Sequence, residues 1–171
     1  MISPDPWETS QSIRQERIKY KALDLDLWHP SIGVPDTFKL PNNDKLKILH
    51  SSYEDKNRND NDKDIKGSMH YFSAINKLID EGFKIEHHYF KNIDSINMRY
   101  YQVQADIIVD QLIYGWWGST ALECMALGKP VICYLNPEMK ESFFTLFPEY
   151  ESLPIIESDV NNIYRVLKNL I

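Results

Sequence analysis

Apolar residues recur along this chain in two rhythms. Short runs rich in aliphatic and β-branched residues, at 46–50, 83–90, 105–110, 131–135 and 153–156, read as strands. Between them, apolar positions return at three- and four-residue steps, the period of a helix with one buried face. After the first run comes a polar loop over 51–65 and a helix from Ser68, with Phe72, Ile75, Leu78 and Ile79 on its inner side, Ser68 as N-cap and Gly82 as its stop. The second run precedes a helix capped by Asp94, whose inner positions are Ile96, Tyr100 and Val103. Ala105, Ile107, Ile108 and Val109 make a third run that is apolar at nearly every position, as in a strand covered on both faces. A glycine-bearing turn, a helix over 119–127 ended by Gly128, a fourth strand, a weaker fifth strand and a helix with Ile163, Val166, Leu167 and Leu170 in register complete the pattern.

This alternation predicts an α/β fold: a doubly wound parallel sheet with right-handed crossovers and a ligand at the carboxyl ends of the strands. Residues 1–45 are rich in proline and charge and read as a leader or interdomain connection, with a short helical stretch at 11–25; residues 46–171 read as a single Rossmann-like domain. A length of 171 residues and 43% hydrophobic content suit one buried core. The net charge of −6 argues against general affinity for nucleic acid or anionic lipid, so any phosphate site is local. Cys124 and Cys133 both lie in apolar surroundings and read as reduced thiols rather than a disulfide framework, an expectation that suits the cytoplasm. The start lacks the pattern of a signal peptide and no run reaches the about 18 apolar residues of a membrane span, which leaves only peripheral attachment at the inner membrane surface open.

The chemistry concentrates between Gly115 and Ile132. One carboxylate, Glu123, stands in an otherwise apolar helix, behind a glycine loop and ahead of a buried strand. A strand ending near Gln111, a glycine turn and a helix opening near Ser119 point backbone N–H groups and the positive helix end at an anionic ligand, with Glu123 one turn inside to grip a hydroxyl. As an ordinary helix residue Glu123 would be solvated, but Leu122, Cys124, Met125 and Ala126 beside it favour a functional role. Trp116 and Trp117 read as packing residues. Asp60, Asp62 and Asp64 alternate like a calcium loop, yet Ile65 and Tyr71 occupy the positions of its glycine and closing glutamate. His87 and His88, adjacent on a strand, face opposite ways and share no metal; His50 reads as a core-edge histidine. Spacing defines no nucleophile and base.

The order 46–50, Lys66-Gly67, 105–110, Gly118 and Glu123-Cys124-Met125-Ala126-Leu127-Gly128-Lys129-Pro130-Val131-Ile132 resembles the C-terminal, donor-binding domain of GT-B glycosyltransferases, family 4 above all, over roughly residues 28–170. The resemblance implies a retaining enzyme of the polysaccharide-building kind, which moves a sugar from a nucleoside diphosphate sugar to a glycan or lipid-linked acceptor. By the same resemblance Glu123 holds the ribose hydroxyls. Lys66, with Arg58, clamps the donor diphosphate, and the main chain of Gly118, Ser119 and Thr120 faces the distal phosphate and sugar. No metal and no cofactor beyond the donor is implied, and no catalytic residue is assigned. Family members carry a second glutamate eight residues before Glu123, where this chain has Gly115; Asp110, Gln111 or the main chain of 115–118 are the available substitutes. Because the acceptor site of such enzymes belongs to a separate N-terminal domain, the chain alone is expected to be incomplete for catalysis and to need that domain or a partner chain. The alternative is a non-catalytic nucleotide-binding module or fragment. A GT-B epimerase of nucleotide sugars and a flavodoxin-like receiver or flavin domain stand behind these two, the receiver disfavoured because His50-Ser51-Ser52 offers no acid pair.

Overall fold

The apolar runs pair into one sheet of five parallel strands in the computed structural model, which describes residues 23–52, 64 and 66–171. The strands are β1 (Leu46–Ser52), β2 (Ile85–Lys91), β3 (Ile107–Val109), β4 (Val131–Cys133) and β5 (Ile156–Glu157), in the spatial order β2-β1-β3-β4-β5. The helices are α1 (Ser68–Asp80), α2 (Ser95–Gln102), α3 (Ser119–Ala126), α4 (Pro137–Leu146) and α5 (Ile163–Leu170). This is the doubly wound α/β arrangement that the alternation predicts.

Period-two alternation within the buried strands divides the core between the two faces. Ile48, Ile107, Val109 and Ile132 point to one face, where Tyr71, Ile75 and Leu78 of α1 and Ile163 and Leu167 of α5 cover them. Leu49, Ile108, Val131 and Cys133 point to the other, against Leu122 and Cys124 of α3, Phe143 of α4 and the stacked pair Trp116 and Trp117. On the first face α5 returns to α1, where Glu81 accepts hydrogen bonds from the Tyr164 hydroxyl and the Lys168 ammonium, each at 2.7 Å.

Several local expectations are corrected. The inner face of α1 is rotated: Tyr71, Ala74, Ile75 and Leu78 are buried, while Ile79 is 39% exposed. Ser68 is the first residue of the helix rather than its cap. The cap position is Gly67, and Asp64 accepts the Met69 N–H through its carboxylate. In α2 the buried residues are Met98 and Gln102, and Ile96 is exposed; the Asp94 cap holds, accepting from the Asn97 N–H at 2.9 Å. Helix α4 has no counterpart in the sequence reading, although Met139, Phe143 and Phe147 return at four-residue steps and pack in or against the core. Its start is written in the chain as well: the Asn136 side chain accepts the N–H groups of Glu138 and Met139, and Pro137 follows it directly.

Of the helical stretch at 11–25, all but the last few residues lie outside the described ones. Residues 23–45 strap across α2: Phe38 packs on Tyr100 and Tyr101, and the Gln104 side chain donates to the Phe38 carbonyl and accepts from the Leu40 N–H. Among the described residues no helix is long and apolar enough to cross a membrane.

Candidate functional site

From β1 the chain crosses by α1 to β2 on one side of the sheet, then returns by α2 to β3 on the other side of β1. The carboxyl ends of β1 and β3 therefore diverge into connections on opposite faces, which opens a crevice between them. His50 and Ser51 approach it along β1, Asp110 and Gln111 leave β3 into it, and Lys66, Gly67 and Ser68 border it at the start of α1.

Lys66 is held to the end of β3 by both its main chain and its side chain. Its carbonyl accepts the Leu112 N–H at 3.0 Å, and its ammonium forms an ion pair with Asp110 Oδ1. The Lys66 side chain is 16% exposed and that of Asp110 is fully buried. Asp110 Oδ2 is buried as well and has no hydrogen-bond partner among the described residues. Gly67 makes the approach possible: its φ is +71°, and a Cβ there would stand 2.9 Å from Leu112 Cβ.

His50 forms the floor. Its Nδ1 lies 2.8 Å from the Val109 carbonyl, which only accepts, so Nδ1 carries the proton and Nε2 accepts the Ser68 hydroxyl at 2.8 Å. Burial lowers the ring's pKa to about 4, so the imidazole is neutral near pH 7. The Ser68–His50 contact has the length of a nucleophile–base bond, but so weak a base, fully buried, activates a hydroxyl poorly; the pair ties β1 to α1. The turned-in Ser68 hydroxyl is the reason it does not cap the helix.

On the other side of the crevice, Glu123 lies on α3 and is 6% exposed, which excludes a solvated helix glutamate. Gly118 is the N-cap of α3 in an extended conformation, with no side-chain cap, and Ser119 and Thr120 form the first turn. Cys124 and Cys133 are buried free thiols whose pKa values burial, and next the charge of Asp110, push up, so both are unreactive. Trp116 and Trp117 stack at 4.0 Å and are buried, as packing residues are. Gly115 has φ +95°, and a Cβ there would lie 3.0 Å from Asn136 Cβ. This backbone has no room for a glutamate, so the loop is built around the glycine. His87 faces the Tyr71 and Phe72 rings while His88 stacks on Phe90, on opposite sides of β2.

Arg58, Asp60 and Asp62 lie outside the described residues. Sequence reasoning found Lys66 and Glu123 but did not assign Asp110 to Lys66; its signal was an acid placed directly after a β-branched run. A groove of about 530 Å³ lies at the opposite, amino end of the sheet, lined among others by Asn43, Lys47, Phe83, Lys84 and Asp106. It holds none of the sequence-predicted site residues. No family model matches the chain, and no curated protein matches it.

Proposed function

We propose that this chain binds a nucleoside diphosphate sugar as the donor half of a retaining GT-B-type glycosyltransferase, acting on a glycan or lipid-linked acceptor. One observation carries this reading: a carboxylate, Glu123, is kept buried on α3 behind a helix start without a side-chain cap, across β3 from a nearly buried lysine. A carboxylate that accepts two ribose hydroxyls gains roughly 1.5–3 kcal/mol from each charge-assisted bond. The opening of α3 adds roughly 0.3–1 kcal/mol for a phosphate beside it. Lys66, joined by Arg58, neutralises charge on the departing diphosphate in this reading, which is the catalytic task a donor-binding half performs. The acceptor site comes from another domain or chain.

The rival, a nucleotide-binding module without transfer activity, draws support from Gly115, where no side chain is available to the donor sugar. Calorimetry with UDP- and GDP-sugars tests the shared premise. The expected result is binding of one base class and a loss of about tenfold or more in Glu123→Ala with the melting transition retained. Unchanged affinity in that variant overturns the ribose role. A transfer assay with and without a separately supplied acceptor domain then distinguishes enzyme from module.

A further inference from the structure

Lys66 is the cation that a diphosphate needs, yet its ammonium is already taken. It pairs with Asp110 Oδ1, while Oδ2 of the same fully buried carboxylate has no partner among the described residues. The groups around Asp110 offer no replacement. On β1, His50 is neutral, with both ring nitrogens engaged by Val109 and Ser68. Cys124 on α3 and Cys133 on β4 are held as thiols. The remaining charges, Asp64 before α1 and Glu123 on α3, are negative, and Lys129 lies beyond the far end of α3. Among the described residues Asp110 thus depends on a single cation, the one the ligand requires.

Resting on the diphosphate reading of Lys66, we propose that Asp110 is a displaceable counter-ion: an anionic diphosphate draws the Lys66 ammonium away, and the carboxylate left behind takes a proton from solvent on Oδ2. An ionised carboxylate without its cation would bear the full cost of burial, and such a group neutralises instead. The bound state then holds more protons than the free state, so low pH favours binding. Affinity falls as pH rises, by up to about tenfold per unit for one proton. Asp110 is therefore an inhibitory contact built into the site, and it selects for ligands with enough charge to compete with a carboxylate.

The sign of one substitution separates this role from a ligand-binding one. Calorimetric titrations with UDP- and GDP-sugars, whose diphosphate is esterified at both ends and has no terminal phosphate to titrate, would be run in buffers of low and high ionisation enthalpy, between pH 6.5 and 8.5, on the wild type and on Asp110→Asn. Expected are buffer-dependent heats in the wild type that report uptake of up to one proton. In Asp110→Asn, binding should be about tenfold tighter at pH 8.5, with heats independent of buffer. Asparagine still accepts a hydrogen bond from Lys66; should the variant not fold, the wild-type proton count decides alone. Binding without proton uptake, or weaker binding by Asp110→Asn, overturns the counter-ion role and leaves the diphosphate reading standing. Absence of binding by either class of nucleotide sugar overturns both.

Discussion

At the amino end of the sheet Lys84 pairs with Asp44, both side chains 73% exposed, and the Asp106 carboxylate accepts the Lys47 N–H at the surface; at the carboxyl end Lys66 pairs with Asp110 at 16% and 0% exposure. The same chemical pair serves different ends. In water the attraction is screened and each partner keeps its hydration, so an exposed pair contributes roughly 0–1 kcal/mol and can be exchanged freely. Inside, both charges have lost water, and the pair gives no more stability than apolar side chains of the same volume. Such a pair therefore adds little to stability where it stands, at the carboxyl ends of β1 and β3. The groove at the amino end has volume without this chemistry.

Removing one cation from each end breaks the comparison most strongly. Lys66→Met strands Asp110 as a buried charge and should cost about 3–5 kcal/mol, whereas Lys84→Met should change stability by less than about 1 kcal/mol. Urea denaturation with a common slope measures both. Lys66→Met combined with Asp110→Asn should recover most of the loss, because it removes the stranded charge along with the missing partner. If the two single variants lose the same amount, the ends do not differ.

The neutral His50 at the carboxyl end gives the next largest effect. Its pKa falls from 6.5 to about 4 on folding, so between those values the unfolded chain binds more protons and stability must rise with pH. The contribution is complete above pH 6.5 and is lost as pH falls toward 4, by about 3 kcal/mol in all. Glu86 and Asp94, held below their ordinary values of 4.5 and 3.8 chiefly by hydrogen bonds from Asn43 and Asn97, also lose stability in acid, but only below those values. Between 6.5 and 4.5 the slope comes from His50 together with His88, whose pKa burial also lowers from 6.5. Denaturation curves across that window should slope in the wild type and become shallower in His50→Gln; an unchanged slope would show that the His50 ring is not kept neutral.

The alternation of strands and helices and the two-faced core were legible because Ile107, Ile108 and Val109 state burial on both faces in three letters, and because Gly67, Gly82 and Gly128 mark the ends of helices; the spatial order of the strands was not. The face of α1 was not, since hydropathy ranks Ile79 above Tyr71, while the fold buries Tyr71 against the His50 ring at 4.7 Å. Helix α4 was legible in its cap, its proline and the four-residue steps of Met139, Phe143 and Phe147, but the alternation of strand runs did not include it. At the site, Glu123 stood out as a carboxylate in an apolar helix, and Lys66 was named by the resemblance alone. The partner of Lys66 was not legible: Asp110 is 44 residues away, and only the pairing of β1 with β3 brings them together.

Helix α1 spans both ends of the sheet, with a glycine of positive φ beside each terminus, and so supplies the finest test. Gly82, at the amino end, has nothing within 4 Å of an added Cβ; Gly67, at the carboxyl end, would place that atom 2.9 Å from Leu112 Cβ and 3.3 Å from Val160 Cγ1. Gly82→Ala should therefore cost only the backbone strain of a left-handed alanine, about 1 kcal/mol. Gly67→Ala adds overpacking to the same strain and should lose about 2–3 kcal/mol. The extra atom also pushes Leu112 from the carbonyl of Lys66, so diphosphate affinity should fall in Gly67→Ala and stay level in Gly82→Ala. Equal stability losses with unchanged affinity in both would mean that the close approach of Gly67 to the end of β3 does not position the lysine.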